Sequence, residues 1–135
     1  MAMNDVLKTK SKLLKTRVVS DDLCPLCGLH AETVEHLLFQ CVFSNSCLRL
    51  LKAWLHIRCR LGKLRKLDSR KWRISKSMKG VVIATLDCLA YYVWKSRNKV
   101  VWMGYVILTH IVVDQIKSDV RTRLKALDAD VILAD

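Results

Sequence analysis

The chain is 135 residues long and 52% hydrophobic, which predicts a folded protein of about one domain and excludes a disordered tail or an elaborate multidomain enzyme. Its formal net charge is +12, and residues 58–79 hold most of the excess, with ten Lys/Arg against one acidic residue, Asp68. Such a segment is typical of a binding site for a polyanion. A solvated basic linker has the same composition, so both interpretations stay open.

The N-terminal residues lack the apolar stretch and cleavage site of a secretory signal peptide. We therefore expect a nuclear or cytoplasmic protein. Mitochondrial targeting is the alternative, because Lys, Ser and Thr outnumber the single acidic residue of this segment, Asp5. In such compartments the six cysteines indicate thiols or metal ligands rather than disulfides. A short basic helix is predicted at residues 6–15.

Cysteine and histidine residues follow at the spacing of metal ligands. Cys24 and Cys27 are separated by two residues, so one tight turn can direct both sulfurs at a single point, and Gly28 can adopt the positive φ that this turn needs. His36 and Cys41 complete the pattern C-x2-C-x8-H-x4-C. Three thiolates and one imidazole fill the tetrahedral shell of Zn²⁺. The pattern predicts a structural zinc site with the ligands Cys24, Cys27, His36 and Cys41.

The last two ligands constrain the helix that is predicted to begin at Thr33. Five steps along a continuous α-helix place a side chain about 140° away from the first, so His36 and Cys41 cannot face the same side. We therefore expect this helix to end near Gln40 and Cys41 to turn back toward the metal. Leu37 and Leu38, with Val34, would then face the core.

Two alternatives to this ligand set stay in view. The four side chains could be buried thiols and a hydrogen-bonded histidine without metal, but their order within 18 residues favours zinc. His30 is a rival ligand, but it lies two residues after Gly28, where it would crowd the turn, so we expect it to be exposed. The other cysteines have no partner at metal-ligand spacing and are expected to be core or surface thiols: Cys47, Cys59 and Cys88.

Apolar residues at helical spacing predict three further helices. The first covers residues 45–57 with Ser44 as its cap, the second residues 79–102, and the third residues 105–127. Strand patterns are scarce, so the fold class expected is all-α (mainly helical) with a small zinc-knuckle-like CCHC loop.

The predicted organisation has three parts. Residues 1–57 form the zinc-binding domain, residues 58–79 a basic connector, and residues 80–135 a helical segment that packs on the first part. The longest uncharged run, Val100 to Val113, is too short to cross a bilayer as a helix, so we expect no membrane span.

The stretch TKSKLLKTRVVSDDLCPLCGLHAETVEHLLFQCVFS, residues 9–44, resembles the zinc-binding domain at the C-terminal end of plant LINE-type (non-LTR retrotransposon) reverse transcriptases. The resemblance includes the Cys-Pro-x-Cys-Gly turn and the Glu-Thr-x-Glu-His-Leu helix. It continues loosely over residues 80–102, where Tyr91, Trp94, Arg97 and Asn98 resemble the downstream Tyr-x-x-Trp-x-x-Arg-Asn helix. It implies the same four zinc ligands and a role in binding template RNA or target DNA.

The sequence offers no enzyme site. The adjacent carboxylates Asp21 and Asp22 could suggest a polymerase, but the aromatic residue that usually precedes such a pair is replaced by Val19, and no third carboxylate accompanies it. We interpret them as the acidic approach to the zinc loop and predict that the protein is not an enzyme.

Two functions are expected, in different classes. The first is binding of RNA or DNA, in which the basic segment contacts phosphates and Trp72 stacks on an unpaired base, although Trp72 could equally be a core residue. The second is a retroelement-derived small host factor that acts through a protein partner or self-association, in a regulatory or cytotoxic role without nucleic acid. The residues predicted to bind nucleic acid are Arg58, Arg60, Lys63, Arg65, Lys66, Arg70, Lys71, Trp72, Arg73 and Lys76.

Overall fold

The structure is a computed structural model, and it describes residues 8–15, 17, 20–56 and 75–126. Four α-helices lie in these ranges: α1 (Lys10–Lys15), α2 (Val42–Trp54), α3 (Lys76–Met103) and α4 (Thr109–Ala126). A π-helical turn, His36–Gln40, precedes α2. Within the described ranges the extended structure is limited to one isolated antiparallel bridge, Leu23 to Ala31. The predicted all-α fold class is therefore confirmed.

Helix α2 starts earlier than the sequence suggested. The prediction of a helix at residues 45–57 capped by Ser44 is wrong at both ends, because α2 runs from Val42 to Trp54. Ser44 is buried inside the first turn, where its hydroxyl donates a hydrogen bond to the Cys41 carbonyl at 3.1 Å. The helix stops when His56 adopts a left-handed conformation with φ 57°, which directs the chain out of the helical path.

Helices α3 and α4 lie close to their predicted positions. Ser75 caps α3, because its hydroxyl accepts a hydrogen bond from the Met78 N–H at 3.2 Å, and this moves the start of the helix from residue 79 to Lys76. At the other end Gly104 has φ 77° and donates its N–H to the carbonyls of Lys99 and Val100. Residues 104–108 are not helical, so α4 begins four residues later than predicted.

The chain divides into two compact units. The first comprises Met1–Asn45 and Val93–Val106, and the second Ser46–Tyr92 and Ile107–Asp135. The organisation predicted from the sequence, with a zinc-binding domain at residues 1–57, a basic connector at 58–79 and a helical segment at 80–135, stays a prediction.

Each unit has buried side chains of its own. In the first unit Leu37, Leu38, Phe43 and Val93 are buried, together with several polar groups that belong to the site below. The second unit buries apolar residues of α2, α3 and α4, together with Leu55, which follows α2. These residues are Cys47, Leu48, Leu51, Trp54, Leu55, Val81, Val82, Leu86, Cys88, Leu89, Ala90, Val112, Val113, Ile116, Val120 and Leu124. None of the helices in the described part of the chain combines the length and the apolarity needed to cross a membrane.

Candidate metal centre

A tight loop between residues 22 and 32 presents the first two cysteines. Its stem is held by hydrogen bonds from the Cys24 N–H to the His30 carbonyl at 2.8 Å and from the Glu32 N–H to the Asp22 carbonyl at 2.6 Å. Gly28 adopts φ 67°, as the sequence predicted, and donates its N–H to the Cys24 carbonyl at 2.7 Å. The next N–H, of Leu29, points at the Cys27 sulfur at 3.5 Å. These bonds give the loop the form of a zinc knuckle.

The loop and the helical turn that follows bring four potential metal ligands together. One ligand atom from each of Cys24, Cys27, His36 and Cys41 lies within 4.8 Å of all the others. Cys24 Sγ is 3.9 Å from Cys41 Sγ, and Cys27 Sγ is 3.3 Å from His36 Nε2. In a tetrahedral Zn²⁺ site, neighbouring ligand atoms lie roughly 3.5–3.8 Å apart. The Cys₃His cluster therefore needs only small side-chain movements to enclose a zinc ion.

A π-helical turn reconciles the spacing of His36 and Cys41. Thr33 caps the helical segment, since its hydroxyl accepts a hydrogen bond from the His36 N–H at 3.0 Å. The Cys41 N–H then donates to the His36 carbonyl at 2.7 Å, five residues back rather than four. Cys41 itself is extended, with φ −66° and ψ 141°. The predicted end of the helix at Gln40 is confirmed, and the wider turn is what returns Cys41 to the cluster.

The electrostatics of the cluster suit a cation. Burial lowers the pKa of His36, and the neighbouring His30 lowers it further against the opposing effect of Glu32, so the imidazole is in the neutral form that binds metals. The hydrogen bond between Cys24 and Cys41 raises the pKa of Cys24, as does burial, and it lowers the pKa of Cys41. Without a metal, Cys24 therefore ionises less readily than Cys41, whereas Zn²⁺ binds its sulfur ligands as thiolates.

His30, Cys47 and Cys88 lie outside the cluster. His30 is exposed, as predicted, and its ring centroid is 5.4 Å from that of His36. Cys47 and Cys88 are buried, and burial raises the pKa of Cys47 to about 11, so its thiol stays protonated. Cys59 lies outside the described residues.

A buried ion pair in the first unit was missed from the sequence. Glu32 has no exposed surface, and its two carboxylate oxygens accept hydrogen bonds from Arg97 Nε and Nη2, both at 2.8 Å. The same carboxylate accepts the backbone N–H of Lys10 at 2.6 Å, so it also holds the start of α1. Since Glu32 sits directly before the helical segment that carries His36, the pair joins α1, the zinc loop and α3.

A signal for this pair was present in the sequence. Arg97 follows Val93 by four residues and therefore continues the apolar stripe of α3. A charge at an inward position requires a buried partner. Glu32 lies in residues 9–44, the other segment that carries the family resemblance. The guanidinium also lies 4.7 Å from the centroid of the Trp94 ring and donates to Asn98 Oδ1 at 3.1 Å. The Trp-x-x-Arg-Asn pattern thus serves the zinc-binding fold.

The adjacent aspartates have structural contacts. The Asp21 carboxylate accepts a hydrogen bond from the Leu23 N–H at 2.9 Å and lies 3.4 Å from Lys10 Nζ. Both contacts lower the pKa of Asp21, and the bond from Leu23 has the larger effect. The Asp22 carbonyl closes the stem of the loop through Glu32. Both contacts fit the interpretation of this pair as the approach to the zinc loop.

The residues predicted to bind nucleic acid lie almost entirely outside the described ranges. Lys76 is exposed at the first position of α3. The other nine, from Arg58 to Arg73, are not among the described residues.

Comparison with protein families identifies the N-terminal third of the chain. A family model described as zinc-binding in reverse transcriptase matches residues 1–47, which include all four clustered ligands. This match confirms the resemblance of the segment to a reverse-transcriptase zinc-binding domain, whereas its likeness to plant LINE-type elements stays a prediction. Neither the curated proteins nor the solved structures give a significant match to the chain. With the Cys₃His cluster, the family match also confirms Zn²⁺ as the predicted cofactor.

Proposed function

We propose that the protein is a non-catalytic zinc-binding module that binds RNA or DNA. The observation that supports this proposal most directly is the match of residues 1–47 to a zinc-binding family of reverse transcriptases, which act on nucleic acid. The strongly basic segment, residues 58–79, follows in the same chain and supplies the charge that a polyanion requires.

The zinc site has a structural role in this proposal. Four protein ligands complete a tetrahedral shell and leave no position for a substrate or an activated water, which separates a structural zinc from a catalytic one. Cys24, His36 and Cys41 are buried, which further limits access. The metal therefore orders the loop, and the basic residues contact the phosphates.

Nucleic-acid binding of this kind is expected to weaken steeply with salt. Each phosphate contact on a single strand contributes a slope of about −0.7 to the plot of log affinity against log salt. Replacing Arg58, Arg60, Lys63 and Arg65 by glutamine should therefore make this slope less steep by about 3. Fluorescence anisotropy with labelled single-stranded RNA and DNA, from about 50 to 200 mM salt, measures the slope.

A matched variant separates this effect from net charge. Replacing Lys8, Lys12, Lys15 and Arg17 by glutamine removes the same charge from a different segment. We expect it to leave the slope close to that of the wild type. Equal slopes for the two variants, or no binding by the wild type at low salt, would overturn the proposal.

A second candidate function, association with another protein or with a second copy of the chain, is favoured by an exposed apolar segment. Val101, Trp102, Met103, Tyr105 and Val106 are all exposed, and Trp102 is 81% exposed. Contiguous exposed apolar surface of this kind is typical of an interaction site. Sedimentation velocity tests self-association: Trp102→Ser should shift an oligomer toward monomer, and Ile83→Ser, which removes another exposed apolar side chain, should not. A wild-type protein that sediments as a monomer at all concentrations would exclude self-association.

A further inference from the structure

The second unit contains an open cleft that the zinc-binding role does not use. Its volume is about 380 Å³, which is within the range of small-ligand sites. It lies between the C-terminal end of α2 and the first turns of α4, whose residues line it from both sides. Within the described ranges, the zinc cluster is the one group of His, Cys, Asp and Glu placed to hold a metal, so a metal ion is not the ligand that this cleft suits.

One wall of the cleft is apolar. It consists of Leu50, Ala53 and Trp54 of α2 and Val113 of α4. Lys117, which also lines the cleft, has its Nζ 5.8 Å from the centroid of the Trp54 ring, and Arg121 Cζ lies 5.4 Å from the same centroid. An apolar wall next to paired positive charges suits a ligand that combines a flat ring with an anionic group.

The rim of the cleft carries hydrogen-bonding groups. His56, His110 and Asp114 line it and together offer both donors and acceptors. His56 occupies the left-handed position after α2, with φ 57°, where glycine or asparagine is usual. At this position glycine would provide no side chain, whereas histidine provides an imidazole ring with two nitrogens. This is an outlier at the edge of a cleft, and such outliers cluster at binding sites.

We propose that this cleft holds one unpaired nucleobase of a bound single strand. This inference rests on the proposed function and names the contact that the second unit makes. The apolar wall covers the face of the base, the rim bonds to its edge, and Lys117 and Arg121 attract the adjoining phosphate. Arg58, the first residue of the basic segment, follows His56 by two positions in the sequence.

The test fills the cleft and leaves the basic segment intact. Ala53→Trp places a bulky ring where the base would lie, and Ala126→Trp makes the same exchange at an exposed position of α4 that does not line the cleft. Two probes are compared by anisotropy: a single strand of about 12 nucleotides and a strand of equal length in which every position is abasic. We expect Ala53→Trp to weaken binding of the normal strand about tenfold, with the salt slope unchanged. The abasic strand should bind equally to wild type, Ala53→Trp and Ala126→Trp.

The outcomes separate this inference from the proposed function. If Ala53→Trp and Ala126→Trp bind the normal strand equally and the steep salt slope is retained, the cleft does not hold a base. The proposed function is then unaffected. Circular dichroism and zinc content check the fold of each variant, and Leu50→Trp fills the same cleft if Ala53→Trp does not fold. If no strand binds the wild type, the proposed function fails, and the inference about the cleft fails with it.

Discussion

Replacing His36 by alanine, or Cys27 by serine, is expected to unfold residues 20–42 and to abolish stoichiometric zinc binding. The reason is that structural zinc contributes on the order of 10–16 kcal/mol of apparent binding free energy in small zinc-binding peptides, and this binding energy stabilises the fold. The loop between Asp22 and Glu32 has few buried apolar side chains of its own to replace that contribution. Zinc content, far-ultraviolet circular dichroism and resistance to protease measure the loss.

His30→Ala is the matched control for this experiment. His30 lies in the same loop, 5.4 Å ring to ring from His36, but it is exposed and outside the ligand cluster. We expect this variant to keep one zinc ion and wild-type protease resistance. If chelation of the wild-type protein left both its circular dichroism and its protease resistance unchanged, the assignment of a structural zinc site would be wrong.

Replacing Arg97 by methionine is expected to lower the free energy of unfolding by about 3–5 kcal/mol, because it leaves the Glu32 carboxylate buried without its charged partner. The loss should be larger than for most single substitutions, which cost about 1 kcal/mol. Urea denaturation followed by circular dichroism, at fixed zinc concentration, gives the difference.

The exposed Arg49 of α2 provides the comparison. Arg49→Met makes the same exchange at a surface position and should change stability by no more than about 0.5 kcal/mol. The double variant Arg97→Met with Glu32→Gln should be more stable than Arg97→Met alone, because the amide removes the unpaired charge. Equal midpoints for Arg97→Met and Arg49→Met would show that the ion pair does not hold the first unit together.

The zinc cluster could be anticipated from the sequence because its ligands are local. The spacing of Cys24 and Cys27 restricts the backbone to a tight turn, and the step from His36 to Cys41 is incompatible with a continuous α-helix. The location of the break near Gln40 followed from that geometry. The sequence did not predict that the break would be a π-helical turn. Such a turn differs from the end of an α-helix by one hydrogen bond, which no residue type specifies.

The contacts that the sequence concealed are long-range or depend on the metal site. Ser44 had the residue type of a cap, yet the chain enters α2 directly from the extended ligand Cys41, which places Ser44 inside the helix. Arg97 has the residue type of a surface position, and although its place on the apolar stripe of α3 indicates burial, nothing local identifies Glu32 as its partner. Helix propensity predicts neither the position of Ser44 inside α2 nor the burial of Arg97, because tertiary contacts decide both.

The pairing of Glu32 with Arg97 also sets an order of events during synthesis. The two residues are 65 positions apart in the chain. At typical translation rates Glu32 leaves the ribosome roughly 3–13 seconds before Arg97. All four zinc ligands emerge before Arg97, so the nascent chain can bind zinc before the ion pair forms. During this interval the Glu32 carboxylate has no arginine partner. A ribosome stalled within that interval would hold a metal-loaded loop that α3 has not yet secured.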